Sequence, residues 1–148
     1  MNIAYFLTPK QETAYLYDDY TIRQALEKMR AHGYTRIPVI SRGGKYEAVV
    51  GEGDFLWYML DLGNGAGISM HGAEELRLKN ILGKGSRRPY RPVRITAARD
   101  ELVELAMNQN FVPVTDDDGT YIGIVTRRNI LKYLVAQDPP KQGDPTKQ

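Results

Sequence analysis

The hydrophobic pattern in the first half of the chain changes its period from one segment to the next. The first segment has apolar residues at i, i+3, i+4 and i+7, which predicts an amphipathic helix: Ile22, Ala25, Leu26 and Met29. Gly33 stands where this helix should end, because glycine adopts a positive φ without steric cost. Two apolar runs at 36–40 and 46–50 predict strands joined by a hairpin turn that contains two glycines. A second apolar-rich helix is predicted at 54–62.

The pattern before the first helix is weaker. An apolar stretch at 2–6 is interrupted by Thr8-Pro9-Lys10, and residues 13–17 predict a short strand. Asp18 and Asp19 follow this strand. Their carboxylates are predicted to cap the first helix, since aspartate is among the preferred N-cap residues.

The same order of elements returns 75 residues later, as in 113 − 38 = 75. The matching positions are Pro38 and Pro113, Val39 and Val114, Gly44 and Gly119, Tyr46 and Tyr121, Asp54 and Asn129, Tyr58 and Tyr133. In the second copy we expect strands at 93–95, 111–114 and 121–125, a helix built on Leu102 and Ala106 with Thr96 as its cap, and a last helix at 128–136. A constant offset over several elements indicates an internal duplication.

The duplication predicts an α+β fold made of two strand–helix–strand–strand–helix units related by a pseudo-twofold axis. The first unit is placed at 8–62 and the second at 93–136. Between them we expect a glycine-rich loop at 63–72, a short helix at 73–82 and a basic linker at 83–92. The tail at 137–148 has three prolines and no larger apolar residue, which predicts disorder. The axis between the units is a good place for a cleft that holds a small ligand.

Composition excludes several classes of function. The chain of 148 residues is 42% hydrophobic and 26% charged, with a net charge of +2, so charge alone does not argue for a nucleic-acid or membrane partner. It has no cysteine, which excludes disulfides and thiolate catalysis and agrees with a cytoplasmic protein. The first ten residues lack the pattern of a signal peptide. No apolar run approaches the roughly 20 residues that span a bilayer.

Candidate binding chemistry lies where the second hairpin meets the last helix. Arg127 and Arg128 follow a strand and open a helix, and the free N–H groups at a helix start favour an anion. Thr126 can cap that helix and also donate a hydrogen bond to a phosphate oxygen. Asn129 can bond ribose hydroxyls, and Tyr34 in the first copy can stack on a base. The alternative is purely structural, with Thr126 as an ordinary N-cap and the arginines in solvent.

The duplicated unit resembles a tandem pair of CBS domains, the Bateman module. Residues 123–129, GIVTRRN, are similar to the family pattern of glycine, apolar residue, Ser or Thr, and a terminal acid, for which Asn129 stands here. The first copy departs further, with Ala48 and Gly51 in place of the glycine and the hydroxyl residue, although Asp54 keeps the acid. The resemblance implies a regulatory module without catalytic activity that binds an adenine nucleotide.

Residues 34–38, YTRIP, and 126–128, TRR, resemble a narrower group, the stand-alone CBS pairs that bind cyclic di-AMP. In that group the two motifs face one cleft. The resemblance implies a homodimer with a separate protein partner, and cyclic di-AMP or AMP, ADP or ATP as ligand. It implies ligand-binding roles for Ala14, Tyr34, Thr35, Arg36, Ile37, Pro38, Thr126, Arg127, Arg128 and Asn129. A second site is implied at Asp54, Phe111, Val112 and Pro113.

Other functions stay open. The chain could be a degenerate CBS pair that has lost its ligand and acts as a dimeric interaction module. A hydrolase that uses Glu52 or Asp54 has no nucleophile–base pair or complete phosphate loop to support it. A nucleic-acid role could rest only on the basic linker. His32 and His71 lack metal-ligand spacing, and 116–119, DDDG, is interpreted as a hairpin turn. No metal and no cofactor other than the nucleotide are therefore predicted.

Overall fold

A computed structural model describes residues 2–62, 75–82 and 90–137. The loop predicted at 63–72, most of the linker predicted at 83–92 and the tail beyond Gln137 lie outside these residues. The described residues form two α+β units, each with its own sheet and hydrophobic core. The predicted α+β class and two-unit architecture are confirmed.

The first unit follows a short N-terminal segment. That segment consists of a 3-10 turn at Ile3–Phe6, strand β1 at Thr8–Pro9 and a second 3-10 turn at Lys10–Glu12. The sheet of the first unit has the order β2-β3-β4. Its strands are β2 (Leu16–Tyr17), β3 (Arg36–Ile40) and β4 (Tyr46–Gly51), and its helices are α1 (Ile22–His32), α2 (Glu52–Leu62) and α3 (Leu78–Leu82). β2 and β3 are parallel, whereas β3 and β4 form an antiparallel hairpin.

The second unit repeats this plan and adds one strand. Its elements are β5 (Val93–Arg94), α4 (Arg99–Asn108), β6 (Phe111–Thr115), β7 (Tyr121–Thr126) and α5 (Arg127–Gln137). The sheet has the order β1-β7-β6-β5. Arg36 pairs with Gly51 in the first hairpin and Phe111 with Thr126 in the second, so both members of the pair are displaced by 75 residues (111 − 36 and 126 − 51). The two copies seen in the sequence therefore form hairpins with the same strand register.

The N-terminal segment packs on the second unit. Ile3 and Phe6 belong to the core cluster of that unit, and β1 pairs antiparallel with β7, placing Pro9 opposite Gly123. Gly123 has a φ of 152°, and a Cβ there would lie 2.2 Å from the carbonyl oxygen of Thr8. Only glycine allows the two backbones to approach this closely. The sheet thereby gains a strand that the first unit does not have.

Three local expectations were wrong. The strand expected at 13–17 covers only Leu16–Tyr17. The cap of α1 is Thr21, which forms a capping box with Gln24, because the carboxylate of Asp19 pairs with Arg42 instead. The N-cap of α4 is Ala98 without a side-chain bond, and Thr96 donates to Asp117.

The two hairpin turns join the units. The N–H of Tyr46 donates to the carbonyl of Gly119 at 3.0 Å, and the N–H of Tyr121 donates to that of Gly44 at 2.9 Å. The predicted turn at 116–119 is confirmed: the carboxylate of Asp116 accepts from the N–H groups of Asp118 and Thr120. None of the helices in the described ranges could span a membrane, given their length and polarity.

Candidate functional site

The junction between β7 and α5 holds the four residues that the sequence singled out in the second copy. The hydroxyl of Thr126 accepts a hydrogen bond from the N–H of Asn129 at 3.1 Å, which is the N-cap bond of α5. Thr126 is only partly buried, so its position is compatible with a further contact to a ligand.

The side chain of Arg127 links α5 to α4. Its Nε donates to the carbonyl of Ala106 at 2.7 Å and its Nη2 to that of Met107 at 3.4 Å. Both carbonyls lie in the last turn of α4, where the helix leaves its C=O groups without intrahelical partners and where a cation is favoured by the helix dipole. Arg127 therefore has a structural role in addition to any role with a ligand.

The neighbouring Arg128 differs from Arg127. It is exposed, and within the described part of the chain no hydrogen bond or ion pair engages its guanidinium. It lies in the first turn of α5, beside N–H groups that the helix does not use. Of the two adjacent arginines, Arg128 is the one that is available to an anion.

Asn129 binds the N-terminal segment. Its Nδ2 donates to the carbonyl of Phe6 and to the hydroxyl of Thr8, both at 3.1 Å. An amide nitrogen has two N–H donors, and both are used here. Only its carbonyl oxygen is left for a ligand, so hydrogen bonds from Asn129 Nδ2 to ribose oxygens would require the N-terminal segment to move.

The equivalent junction of the first unit, between β4 and α2, has different side chains. Asp54 accepts from the N–H of Gly51 at 2.8 Å. Arg36 lies beside Gly51, where a Cβ would be 3.0 Å from Arg36 Nη1. Thr35, Arg36, Gly51, Glu52, Gly53, Asp54 and Trp57 line a cleft of about 300 Å³. The structure thus brings three of the predicted residues, Thr35, Arg36 and Asp54, to one cleft.

Arg36 also reaches across to the second unit. Its Cζ lies 5.9 Å from the ring centroid of Tyr90, and the Tyr90 ring lies 5.2 Å from that of Phe111. Tyr90 is held in place because its hydroxyl accepts from the N–H of Asn110 at 2.7 Å and its carbonyl accepts from the hydroxyl of Tyr46. A cleft of about 630 Å³ runs from Arg36 along Tyr90, Arg91 and Gln109 to the face of α4.

Among the remaining predicted residues, the side chain of Tyr34 is exposed and most others are buried. Tyr34 is 42% exposed and stacks on His32 with a centroid distance of 5.4 Å. Five others have buried side chains, so only their backbone groups could meet a ligand: Ala14, Ile37, Pro38, Val112 and Pro113. The prediction that 34–38 and 126–129 face one cleft stays a prediction.

Two further residues near these positions were missed by the sequence analysis. Tyr90 lines the larger cleft, and its counterpart 75 positions earlier, Tyr15 (90 − 15 = 75), lies 5.9 Å from the ring of Tyr121. The hydroxyl groups of Tyr121 and Thr13 form a 2.9 Å hydrogen bond. Burial raises the pKa of Tyr121 to about 12. The matched spacing of Tyr15 and Tyr90 is the signal that could have found this pair.

The described residues contain no group of three or more His, Cys, Asp or Glu that could hold a metal ion. The cleft at the β4–α2 junction is lined by the carboxylates of Glu52 and Asp54. The cationic and aromatic groups at the junctions and near them are the guanidinium groups of Arg36 and Arg128 and the rings of Tyr34, Tyr90 and Trp57. Such groups bind phosphate and stack on planar rings.

Comparisons with solved structures support the fold described above. No curated protein matches the chain. Among solved structures, CbpB in complex with c-di-AMP is 20% identical and has a TM-score of 0.80, with 92% of this chain and 85% of that chain covered. The hypothetical conserved protein GK1048 from Geobacillus kaustophilus is 27% identical, with a TM-score of 0.78 and coverages of 93% and 98%. CBSX2 in complex with AMP is 22% identical, with a TM-score of 0.66 and coverages of 92% and 97%.

The family comparison gives the identity of the duplicated unit. The model of the CBS domain matches the chain twice, at residues 9–61 and 86–136. These two matches together cover more than half of the sequence and correspond to the two structural units. The chain therefore belongs to the CBS-domain family, as a tandem pair.

Proposed function

We propose that this CBS pair is a regulatory module, without catalytic activity of its own, that binds an adenine nucleotide between its two units. The observation that carries the proposal is the guanidinium of Arg128 in the first turn of α5, which has no partner among the described residues and follows the partly buried Thr126. A helix start, a hydroxyl and an unpaired arginine together form a phosphate site. CbpB and CBSX2, which have the same fold, are known in complexes with c-di-AMP and AMP.

The proposed first site takes its phosphate contacts from Thr126 and Arg128 and its base contacts from the strand of the first unit. Tyr34 offers an exposed ring for stacking, which contributes about 1–3 kcal/mol per base in nucleic-acid complexes. The backbone of Ala14 and of 35–38 would read the edge of the base. Arg127 and Asn129 would help mainly by holding α4 and the N-terminal segment in place.

The proposed second site is centred on Asp54 and Arg36. The cleft of about 300 Å³ is at the low end of the range for small-ligand pockets. The larger cleft on the other side of Arg36 leads towards Tyr90 and, behind it, Phe111. A nucleotide with its ribose at Asp54 would meet the guanidinium of Arg36 in place of the hydroxyl that Gly51 lacks.

We further propose that the module forms a homodimer through α2 and α5, acts in the cytoplasm, and passes its ligand state to a protein partner. Both helices present large apolar side chains to solvent: Leu56 and Trp57 are 52% and 65% exposed, and Leu131 and Leu134 are 61% and 45% exposed. Exposed apolar patches of this kind are typical of protein interfaces. A ligand changes the state of such a module only if its affinity differs between two conformations.

A second candidate function is a CBS pair that no longer binds ligand and serves as a dimeric interaction module. It is favoured by the internal use of groups that a nucleotide would need. Asn129 bonds Phe6 and Thr8, Arg127 bonds the end of α4, and Arg36 lies over Gly51.

A thermal-shift panel with cyclic di-AMP, AMP, ADP and ATP separates the two functions. A ligand at 100 times its Kd should stabilise the fold by about 2.7 kcal/mol, which is a shift of several degrees. We expect a shift with at least one of these ligands and a smaller shift, or none, in Arg128→Ala. Lys132→Ala is the matched control, because it removes one exposed positive charge from the same helix.

Calorimetry then counts the sites. Two ligands per chain, with one lost in Arg128→Ala, would support both clefts, whereas one ligand per chain that is lost in Arg128→Ala would restrict binding to the first. If none of the four nucleotides binds at near-millimolar concentration, the sensor function is wrong and the ligand-free module is the better description.

A further inference from the structure

A third cleft, which shares no lining residue with the two clefts described above, lies in the first unit and includes Arg42 of the first hairpin turn. It has a volume of about 440 Å³ and is lined by Asp19, Tyr20, Gln24, Arg42, Arg77 and Lys79. We refer to it as the Arg42 cleft. None of these residues belongs to the β3 start, the β4–α2 junction or the β7–α5 junction.

The Arg42 cleft carries excess positive charge. Three cationic side chains, Arg42, Arg77 and Lys79, face a single carboxylate, that of Asp19. Arg42 Nε donates to Asp19 Oδ2 at 2.9 Å, and this bond lowers the pKa of the Asp19 carboxyl, so Asp19 is ionised at neutral pH. The remaining charge of the cleft is therefore about +2, since 3 − 1 = 2.

The cations of the cleft are held in place before any ligand arrives. The guanidinium carbon of Arg42 lies 4.1 Å from the ring centroid of Tyr17, and Nη1 of Arg77 donates to the carbonyl of Asp19 at 3.0 Å. The backbone beneath is fixed as well, because the N–H groups of Leu78 and Lys79 donate to the carbonyls of Tyr20 and Asp18. Pre-organised groups lose less conformational entropy on binding.

Two features of the cleft leave contacts open to a ligand. The ammonium of Lys79 makes no hydrogen bond or ion pair with any residue that the structure describes. The Asp19 side chain is still 44% exposed although its Oδ2 accepts from Arg42, and a carboxylate oxygen has a second lone pair that can accept another hydrogen bond. A ligand that suits both must bring an anionic group for the cations and a donor for the carboxylate.

The geometry points to a further ligand site, in which the Arg42 cleft binds a small phosphate monoester that carries hydroxyl groups. The phosphate contacts Lys79 and Arg77, and one hydroxyl donates to Asp19 Oδ2. Guanidinium and ammonium groups are the usual protein partners of phosphate. The volume fits a sugar phosphate and is within the range of small-molecule pockets.

The test uses ribose 5-phosphate as the probe and the full chain as the protein. We expect calorimetry at low salt to give binding that weakens about tenfold in Lys79→Ala and is unchanged in Lys132→Ala, another exposed lysine. Lys79 has no side-chain partner among the described residues, so its removal should leave the fold intact. Binding should persist in Arg128→Ala, which separates the Arg42 cleft from the proposed nucleotide site.

Further probes test the hydroxyl contact and the class of ligand. Inorganic phosphate should bind several-fold more weakly than ribose 5-phosphate, because it cannot place a sugar hydroxyl at Asp19. Equal affinities would overturn the site as proposed. So would unchanged binding in Lys79→Ala, or loss of binding in Arg128→Ala. A hexaglutamate peptide that binds more tightly than ribose 5-phosphate would show instead that the cleft is a docking surface for an acidic protein segment.

Discussion

The β4–α2 and β7–α5 junctions have the same strand register, but each forms only one of the two hydrogen bonds of a capping box. In a complete capping box, the N-cap hydroxyl accepts from the N3 backbone while the N3 side chain accepts from the N-cap backbone. The second junction has only the first bond, from Asn129 to Thr126. The first junction has only the second bond, from Gly51 to Asp54. Each helix therefore keeps one of the two bonds.

The difference between the junctions extends to their neighbours. The position opposite the cap is Arg36 in the first unit and Phe111 in the second. Position 123 is a glycine in contact with the backbone of β1, whereas its counterpart is Ala48 (123 − 75 = 48). The second unit has become the anchor of the N-terminal segment, while the first keeps an open cleft beside its helix. The two copies thus share a fold but differ in what packs against their junctions.

The largest expected effect is at the anchor. Gly123→Ala should destabilise the protein by about 3 kcal/mol, because the new Cβ would lie 2.2 Å from the Thr8 carbonyl at a φ of 152°. Ala48→Gly at the equivalent position should cost only about 0.5–1 kcal/mol, the usual effect of glycine within a strand. Urea denaturation measures both. Similar small losses in the two variants would contradict the specialised role of the second unit.

A second prediction concerns pH and the contact between the units. Burial raises the pKa of Tyr121 to about 12, above the value of about 10 for tyrosine in an unfolded chain. The unfolded state therefore loses its proton first, and stability should be complete below pH 10 and fall as the pH rises towards 12. At about 1.4 kcal/mol per pH unit, the loss approaches 3 kcal/mol.

The Tyr121→Phe variant isolates this contribution. It removes the hydrogen bond to Thr13, so it should be about 1 kcal/mol less stable at neutral pH but lose less stability between pH 10 and pH 12. Denaturation curves at several alkaline pH values provide the measurement. Parallel pH profiles for the two proteins would show that Tyr121 does not control the alkaline transition.

The smallest expected effect sharpens the comparison of the caps. Gly51→Ser restores the missing hydroxyl, but its Cβ would lie 3.0 Å from Arg36 Nη1 and 3.3 Å from the Thr35 carbonyl. We expect it to be neutral or slightly destabilising in the natural background. In Arg36→Ala the serine has more space and should stabilise by a few tenths of a kcal/mol, the usual difference between serine and glycine at an N-cap.

The double-mutant cycle of Gly51→Ser and Arg36→Ala gives the coupling between the two sites, which we expect to be about 0.5–1 kcal/mol. Strict additivity would mean that Arg36 does not occupy the space of the missing cap. In that case the contrast between the junctions would rest on Asp54 and Asn129 alone.

Much of this fold follows from the sequence, for a physical reason. The helix face of Ile22, Ala25 and Met29 and the hairpin at 36–50 are local patterns, and both form as predicted. The 75-residue offset then predicted the elements of the second unit from those of the first. The helix caps were harder to predict, because several polar residues at each helix start could serve as the cap. Asp18 and Asp19 are good caps by type, but Asp19 is bound by Arg42, which is distant in sequence.

The site was predicted less completely than the fold. The sequence pointed to Arg127, Arg128 and Asn129 together, whereas the structure gives Arg127 and Asn129 hydrogen-bond partners in α4 and the N-terminal segment. Those partners are 21 and 123 residues away along the chain. No local pattern reports such contacts, since they arise only when the chain has folded.

The sequence by itself determined that the chain is a duplicated α+β unit with a polar, cationic strand–helix junction in its second copy, because periodicity and repetition are properties of the linear order. Only the tertiary structure decided which of those polar groups is still free. Within the part of the chain that the structure describes, long-range hydrogen bonds engage Arg127 and Asn129 but not Arg128, and the charges of the Arg42 cleft come together from three separate segments. The availability of a side chain depends on what packs against it, and that is set by the whole fold.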